Sequence, residues 1–256
     1  MKRFCPLASG SKGNCLYLGT EKTKILIDGG ITAKALRTRL AEIGVALEEI
    51  DAVLITHEHT DHIKGIEALS RLGIPILANS DTAEAICSLI AGKHKFKIFT
   101  TGEPFEIADI EVHPFSIQHD AVDPVGFTCS IEGQKIGICA DIGFATTLVA
   151  KQLRRCQYLY IEANHQPSMV HASNRPPIYK QRVLSRQGHL SNEECAELIG
   201  HIYHGDLKHI YLAHLSSECN APELALKIIS DKLTALQAQT CVSVAYQDAV
   251  SLAVTF

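Results

Sequence analysis

The segment Thr56-His57-Glu58-His59-Thr60-Asp61-His62 constrains this chain more than any other part of it. It follows the apolar run Ala52–Ile55 and opens an amphipathic stretch, so it sits where a buried strand ends and a helix begins. In extended chain His57 and His59 are two apart, point to the same side and can share one metal ion. Asp61 and His62, at the opening of the helix, turn toward a second metal close by. Imidazole and carboxylate together suit borderline divalent cations, and a catalytic centre keeps one coordination place for water.

Around this segment, short β-branched runs alternate with longer amphipathic ones. Strands are expected at Arg3–Ala8, Cys15–Leu18, Lys24–Asp28, Ala52–Thr56, Pro75–Ala78, Glu111–Ile117, Thr128–Glu132, Lys135–Ala140, Tyr158–Glu162, Lys208–Ala213 and Val242–Tyr246. Helices are expected at Ala33–Ile43, Asp61–Leu72, Thr82–Ala91, Thr147–Arg155, Asn192–Tyr203 and Pro222–Leu236. Ser191 is an N-cap with Glu193 and Glu194 in the first turn behind it. Gly133 marks a hairpin. Strands outnumber helices and several neighbours pair antiparallel, which favours two mixed sheets with helices outside them. Val53-Leu54-Ile55-Thr56-His57 and Ile210-Tyr211-Leu212-Ala213-His214 echo each other, since both deliver a His at a strand tip. Residues 166–188, rich in Pro, Ser, Arg and Gln, read as a long surface loop at a functional edge.

The 256 residues suit a single domain spanning 1–256. An apolar fraction of 46% with 20% charged residues excludes a disordered or collagen-like chain. The net charge of −4 argues against a protein that coats nucleic acid by bulk charge, but leaves room for a local phosphate grip. Nine cysteines without any C-x-x-C pair read as small, reduced core residues of a cytosolic protein. Gly10–Asn14 interrupts the N-terminal apolar stretch, so no signal peptide is expected, and no run is long enough to span a membrane. The expected location is cytoplasmic. Thirteen histidines are the unexplained surplus.

The motif H-x-H-x-D-H resembles the signature of the metallo-β-lactamase superfamily, and the rest of that pattern follows in order. Asp28 closes the run Ile25-Leu26-Ile27-Asp28-Gly29-Gly30, His119 lies in Gln118-His119-Asp120, Asp141 in Ala140-Asp141-Ile142-Gly143, and His214 in Leu212-Ala213-His214-Leu215-Ser216. The resemblance covers nearly the whole chain. It implies an α/β (α+β) fold of the four-layer αββα sandwich type, with a metal cleft along one edge of the sheets. It also implies two divalent ions, Zn²⁺ first and Mn²⁺ or Fe²⁺ as alternatives. One would be held by His57, His59 and His119, the other by Asp61, His62 and His214, with Asp141 bridging. His113 competes with His119 and is mid-strand, whereas His119 stands at the strand's end and is preferred. Asp28 is expected to orient the site by hydrogen bonds rather than ligate.

An Asp at the bridging position resembles the hydrolases with two coupled metals, among them phosphodiesterases and thioesterases. Arg186-Gln187-Gly188-His189-Leu190-Ser191 resembles a G-H-S/T motif of the phosphodiester-cleaving branches, in which a non-ligand His acts at the leaving group. The expected reaction is therefore hydroxide attack on a phosphodiester with His189 as general acid. Glu162 and His165 are expected to orient His189 or bind substrate. Arg175, Lys180, Arg182 and Arg186 cluster before His189 without an acidic residue among them, and Arg182 and Arg186 are the expected phosphate contacts. Tyr179 offers a stacking face. Ser11, Lys12 and Asn14 belong to a small donor-rich loop, Ser9–Asn14, whose backbone amides with Lys12 can form an anion-binding nest.

The opening Leu-Ala-Ser-Gly-Ser-Lys-Gly-Asn-Cys, the Glu-Ala-Asn-His run, the Gly-His-Leu-Ser-Asn loop and the Leu-Ala-His-Leu-Ser tip together look like the bacterial WalJ/YycJ-like branch, regarded as DNA exonucleases. The short interval from His119 to Asp141 leaves no room for the arm of tRNA-processing relatives, and that from Asp141 to His214 none for an inserted cap domain. DNA is accordingly the expected partner, with oligomeric state left open. The same site on a small, cyclic-nucleotide-type phosphodiester, a thioester or lactam hydrolase, and a metal-dependent nucleic-acid binder without turnover are the alternatives.

Overall fold

The computed structural model describes residues 2–90 and 94–256. In chain order the elements begin β1 (Arg3–Ala8), β2 (Cys15–Gly19), β3 (Lys24–Ile27), α1 (Ala33–Glu42), β4 (Ala52–Leu54), α2 (Thr60–Ile63), α3 (Ile66–Arg71), β5 (Ile76–Ala78), α4 (Ser80–Leu89), β6 (Phe96–Ile98) and β7 (Phe105–Ile107). They continue β8 (Ile110–Ser116), β9 (Val125–Ile131), β10 (Gln134–Cys139), α5 (Thr147–Leu153), β11 (Tyr158–Glu162), α6 (Pro167–Ala172) and α7 (Pro177–Val183). The last are α8 (Asn192–Ile202), β12 (His209–Ala213), α9 (Pro222–Ala235), β13 (Cys241–Val244) and β14 (Val254–Thr255). Two compact units result, one of residues 1–112, 121–124 and 245–256, the other of 113–120 and 125–244.

The first unit is built on a mixed sheet in the order β14-β1-β2-β3-β4-β5-β6. β14, β1, β2 and β3 pair antiparallel, and β3 to β6 run parallel. Its core includes Leu7, Leu26, Leu36, Leu40, Val53, Ile66 and Leu69, all fully buried. β7 pairs antiparallel with the opening residues of β8, Ile110–Val112. The second unit repeats the mixed pattern, with β10, β11, β12 and β13 parallel and β9 antiparallel to β10. A separate core of Phe115, Val149, Leu159, Ile161, Ile199, Leu212 and Ile229 lies against α5, α8 and α9.

Parallel neighbours end at the same edge of a sheet, and this places the chemistry. Cys139 is in register with Ile161, and Ile161 with Leu212, so β10, β11 and β12 deliver Asp141, Glu162 and His214 to one edge. β3 and β4 likewise bring Asp28 and His57 to one edge of the first sheet.

Several expectations are revised. Residues 166–188 are not an irregular loop but contain α6 and α7, each with Pro at its first turn, where the missing N–H costs nothing. Both helices are too short for a periodicity to show. The expected helix Asp61–Leu72 is split at Gly65, whose N–H donates to Gly29 O (2.7 Å) and whose Cβ position lies 2.4 Å from Ile31 O. Ala91, at the end of the expected helix Thr82–Ala91, lies outside the described residues. The edge strands β6, β7 and β14 are too short to stand out in sequence. Seven cysteines are buried and free, but Cys87 and Cys241 are exposed, so packing accounts for seven of the nine. Burial pushes the Cys129 and Cys156 thiols up to about 12, which keeps them protonated and inert. Ser191 caps α8 in a reciprocal box with Glu194.

Candidate active site

In the first unit the chain turns sharply after β4. His59 is the N-cap residue of α2, so Thr60–Ile63 begins a helix directly behind the two extended histidines. The His57 and His59 ring centroids are 4.6 Å apart, and those of His57 and His62 are 4.0 Å apart. His57 and His62 are buried, while His59 and Asp61 are half-buried. Asp28 stands behind them, accepting from Thr56 N–H (2.9 Å) and facing His62 Nδ1 at 2.8 Å. That bond keeps the proton on Nδ1 and turns the Nε2 lone pair of His62 away from Asp28. Thr56 Oγ1 contacts both Asp28 oxygens, His57 Nδ1 (3.0 Å) and His62 Nδ1 (3.2 Å). Sequence reasoning missed Thr56, although it directly precedes the motif.

The Ser9–Asn14 loop is locked onto α2. Asn14 N–H donates to Asp61 O (2.7 Å), and its side-chain amide lies 3.1 Å from Asp61 Oδ2 and 2.9 Å from His62 Nε2. Gly30 carries the other side of this crossing, where a Cβ would fall 1.6 Å from Asp61 O. The amides of the loop do not form the expected anion nest. Gly10 N–H donates to Asn14 Oδ1, Lys12 N–H to Gln247 Oε1 and Gly13 N–H to Gly10 O, so these donors are spent inside the protein. Only the Ser11 and Lys12 side chains reach outward, and both residues are exposed.

In the second unit Asp141, Glu162, His189 and His214 offer ligand atoms that all lie within 4.8 Å of one another. Glu162 is the hub and is fully buried. Its Oε1 lies 2.9 Å from Nδ1 of both His189 and His214. Its Oε2 accepts from Ile142 N–H (2.8 Å) and Leu190 N–H (3.2 Å). Burial alone would raise this carboxyl, but the charge and hydrogen bond of His189, with the bond from His214, outweigh it and hold the group at about 2. Glu162 is therefore an ionised acceptor with every lone-pair direction used. Both imidazoles carry their proton on Nδ1 and keep Nε2 for other work. His189 retains 16% side-chain exposure, enough to reach a substrate.

His119 is buried three residues beyond the end of β8, with Nδ1 3.1 Å from Gly188 O. Burial lowers its pKa despite the nearby Asp141 charge, so the ring is neutral, and its Nε2 lone pair faces two carboxylates, Asp120 Oδ1 at 3.4 Å and the buried Asp141 Oδ1 at 3.9 Å. A lone pair facing a buried carboxylate is the arrangement that a cation satisfies. Together with the buried Asp141 carboxylate and a second imidazole, His214, whose Nδ1–H is taken by Glu162, the donor chemistry fits a divalent ion. His113, the competing candidate, is half-buried in the middle of β8. Gly143 and Gly188 permit the close crossing beneath these groups, since a Cβ on Gly143 would lie 2.5 Å from Gly188 N.

The remaining expected residues separate. No hydrogen bond joins His165 to His189; instead its backbone bridges Ser191, and its carbonyl accepts from Asn192 N–H. Asn164, which sequence reasoning passed over, donates to His214 O (2.7 Å) and fixes that tip. The basic cluster is engaged within the protein. Arg182 forms a forked pair with Asp120, Arg175 pairs with Glu218, Lys180 donates to His171 O, and the Arg186 guanidinium stacks 3.9 Å from the Phe144 ring centroid.

Among the described residues no helix is long and apolar enough to cross a membrane. Residues 23–214 match the model of the β-lactamase superfamily domain. The chain is 36% identical over 234 residues to exodeoxyribonuclease YycJ of Bacillus anthracis, covering 90% of this chain and 88% of the relative. It is 38% identical over 228 residues to exodeoxyribonuclease WalJ of Streptococcus pneumoniae serotype 2, strain D39, covering 87% and 85%. Among solved structures, the metallo-β-lactamase fold protein YhfI from Bacillus subtilis superposes with a TM-score of 0.74 over 98% of each chain at 17% identity, which shows the fold. The chain therefore belongs to the metallo-β-lactamase superfamily and, within it, to the family of the exodeoxyribonucleases YycJ and WalJ.

Proposed function

We propose that this protein is a two-metal phosphodiesterase that degrades DNA as an exonuclease. The observation that carries the reading is the Glu162 hub, which gives a buried carboxylate to two imidazoles beside Asp141 and leaves one of them, His189, within reach of solvent. The names of the full-length relatives supply the substrate class. In this reading His57, His59 and His119 would hold one ion and Asp61, His62 and His214 the other, with Asp141 serving both. Divalent cations on these donors, Zn²⁺ first and Mn²⁺ or Fe²⁺ by the same chemistry, supply positive charge for the phosphate oxygens and an acidified water.

The chain's own residues supply orientation and proton transfer. Asp28 holds the proton of His62 on Nδ1, which leaves Nε2 as the atom that would ligate, and Gly188 O does the same for His119. Glu162 holds Nδ1–H of His189 and stabilises the imidazolium, so Nε2–H is the proton delivered to the departing oxygen. Free, buried thiols accord with a reducing, cytoplasmic setting.

The test is metal analysis of the purified protein followed by incubation with end-labelled duplex DNA, single-stranded DNA and RNA. Release of mononucleotides from a DNA end is expected, lost on chelation and in Asp61→Asn. Hydrolysis by Asp61→Asn at the wild-type rate would overturn the ligand assignment. Turnover of a cyclic nucleotide, thioester or lactam with DNA left intact would overturn the substrate.

A further inference from the structure

Within the first unit, the Asp61 side of the metal motif opens into a cavity of about 650 Å³, a volume in the range that holds small organic ligands. Its lining is mixed. Lys12 and Lys64 contribute two ammonium groups and Asp61 and Glu67 two carboxylates, of which Glu67 is paired with Arg71, while Ile63, Leu89 and Ile90 form an aliphatic wall. Leu89 is 59% exposed, so its side chain is available to an occupant.

Neither lysine is committed elsewhere. Lys12 Nζ lies 4.0 Å from Asp248, and both side chains are more than 70% exposed, so water screens that pair almost completely. Lys64 makes no ion pair among the described residues, and neighbouring Glu67 pairs with Arg71 instead. The backbone beneath Lys12 is rigid, because Gln247 and Asn14 bind the loop on both sides. The point from which the Lys12 side chain projects is therefore fixed, while the side chain itself stays free to reach an occupant.

An occupant that suits this cavity has an anionic end and an apolar body, and it adjoins whatever Asp61 helps to hold. A nucleotide unit has that form. We propose that this cavity receives the nucleotide next to the scissile phosphodiester, with its phosphate on Lys12 and Lys64 and its sugar and base against Ile63, Leu89 and Ile90. The proposal rests on the nuclease reading above. No aromatic ring lines the cavity, so the wall offers no stacking platform and no hydrogen-bond code, and all four bases are accepted alike.

Two measurements on the metal-loaded protein test this. A single-stranded oligodeoxynucleotide with 4-thiothymidine near its end is photo-crosslinked and the modified peptide is mapped by mass spectrometry. Crosslinks at residues 63–64 or 89–90 are expected. In parallel, Lys64→Glu should weaken binding of a fluorescent oligonucleotide about tenfold at low salt and lower the salt slope by about one. The control Lys227→Glu, at a lysine paired with Asp231 on α9, should stay within about twofold. Crosslinks mapping elsewhere, with Lys64→Glu binding like the parent, overturn the proposal even if DNA is degraded. Crosslinks in the cavity without any degradation uphold this subsite and overturn the nuclease reading. Failure of the parent protein to bind DNA overturns both.

Discussion

Glu162→Gln is the most informative single change, because four donors converge on one carboxylate. Ile142 and Leu190 amides point at Oε2, and the Nδ1 atoms of His189 and His214 at Oε1. Glutamine keeps the shape but offers one oxygen and brings an NH₂ group to a place where two donors already point. If the imidazoles keep their tautomers, two buried donors lose their acceptor, at about 1–3 kcal/mol each, or roughly 2–6 kcal/mol in all. For a chain of this size that lowers Tm by on the order of 5–20 °C. If the rings shift their protons to Nε2 instead, stability recovers, but His214 loses the lone pair it needs for a metal and His189 no longer has its carboxylate. Turnover then falls by about 10²–10⁴. Thermal unfolding, metal content and DNA hydrolysis, measured on the same sample, separate the two routes. The sign with pH is also set. Because the folded carboxyl is held at about 2, below its ordinary 4.5, its stabilisation is present above pH 4.5 and lost as the pH falls toward 2. The gap between parent and variant should therefore narrow in acid. A variant with parental Tm, metal content and turnover would refute the whole account of this hub.

His189→Ala should lower kcat by about 10²–10⁴ with metal content unchanged, and loss of metal in this variant would move His189 into the ligand set. Gly30→Ala places a Cβ 1.6 Å from Asp61 O and should destabilise by about 3 kcal/mol or more, whereas Gly205→Ala, with nothing within 4 Å, should stay within about 0.5 kcal/mol; urea titration compares the two. Adding metal at about one hundred times its Kd should stabilise the apo-protein by about 2.7 kcal/mol, and Asp141→Asn should remove most of that increment in a thermal-shift assay. Equal increments in parent and variant would take Asp141 out of the ligand set.

Where an element is long or its boundary is marked by a cap, the sequence was legible. β1 and β11 begin and end where their apolar runs do, and Ser191 announces α8 through its reciprocal bonds with Glu194. The strand-tip positions of Asp28, His57, Asp141 and His214 were legible too, because an apolar run ending in a polar, ligand-type residue is a local pattern. What stayed hidden depends on partners far along the chain. The break at Gly65 comes from backbone 36 residues earlier, which no helical period reports. Glycines and the Gln247 side chain decide that the Ser9–Asn14 amides turn inward. Arg182 looks like a free phosphate contact until Asp120 is seen opposite it, 62 residues away in sequence. α6 and α7 escaped because a helix of six or seven residues shows less than two turns of periodicity.

The backbone itself separates the site from the rest of the molecule. Seven described non-glycine residues have φ between 47° and 63°. Four of them, Ala108, Glu132, Arg155 and Gln237, are exposed turn residues, where a left-handed conformation reverses the chain at little cost to packing. The other three are Asp28 (φ 62°), Asp141 (φ 54°) and His214 (φ 52°), and all are buried. Each directly follows a parallel strand or stands one residue beyond it. In a continuing strand the side chain at that position would keep the alternation and point into a face of the sheet. A left-handed residue breaks the alternation and aims the side chain past the end of the strand. The cost is about 1–2 kcal/mol per residue, lower for Asp than for His, which is large beside a typical total stability of about 5–15 kcal/mol. Buried strain of this kind persists only where surrounding bonds over-determine it. Thr56 does this for Asp28, Ile142 and Glu162 for the turn at Asp141, and Asn164 for His214. The residues around each tip thus hold a conformation that packing alone would not select, and in the proposed reading it serves Asp141 and His214 as ligands and Asp28 as the carboxylate that orients His62.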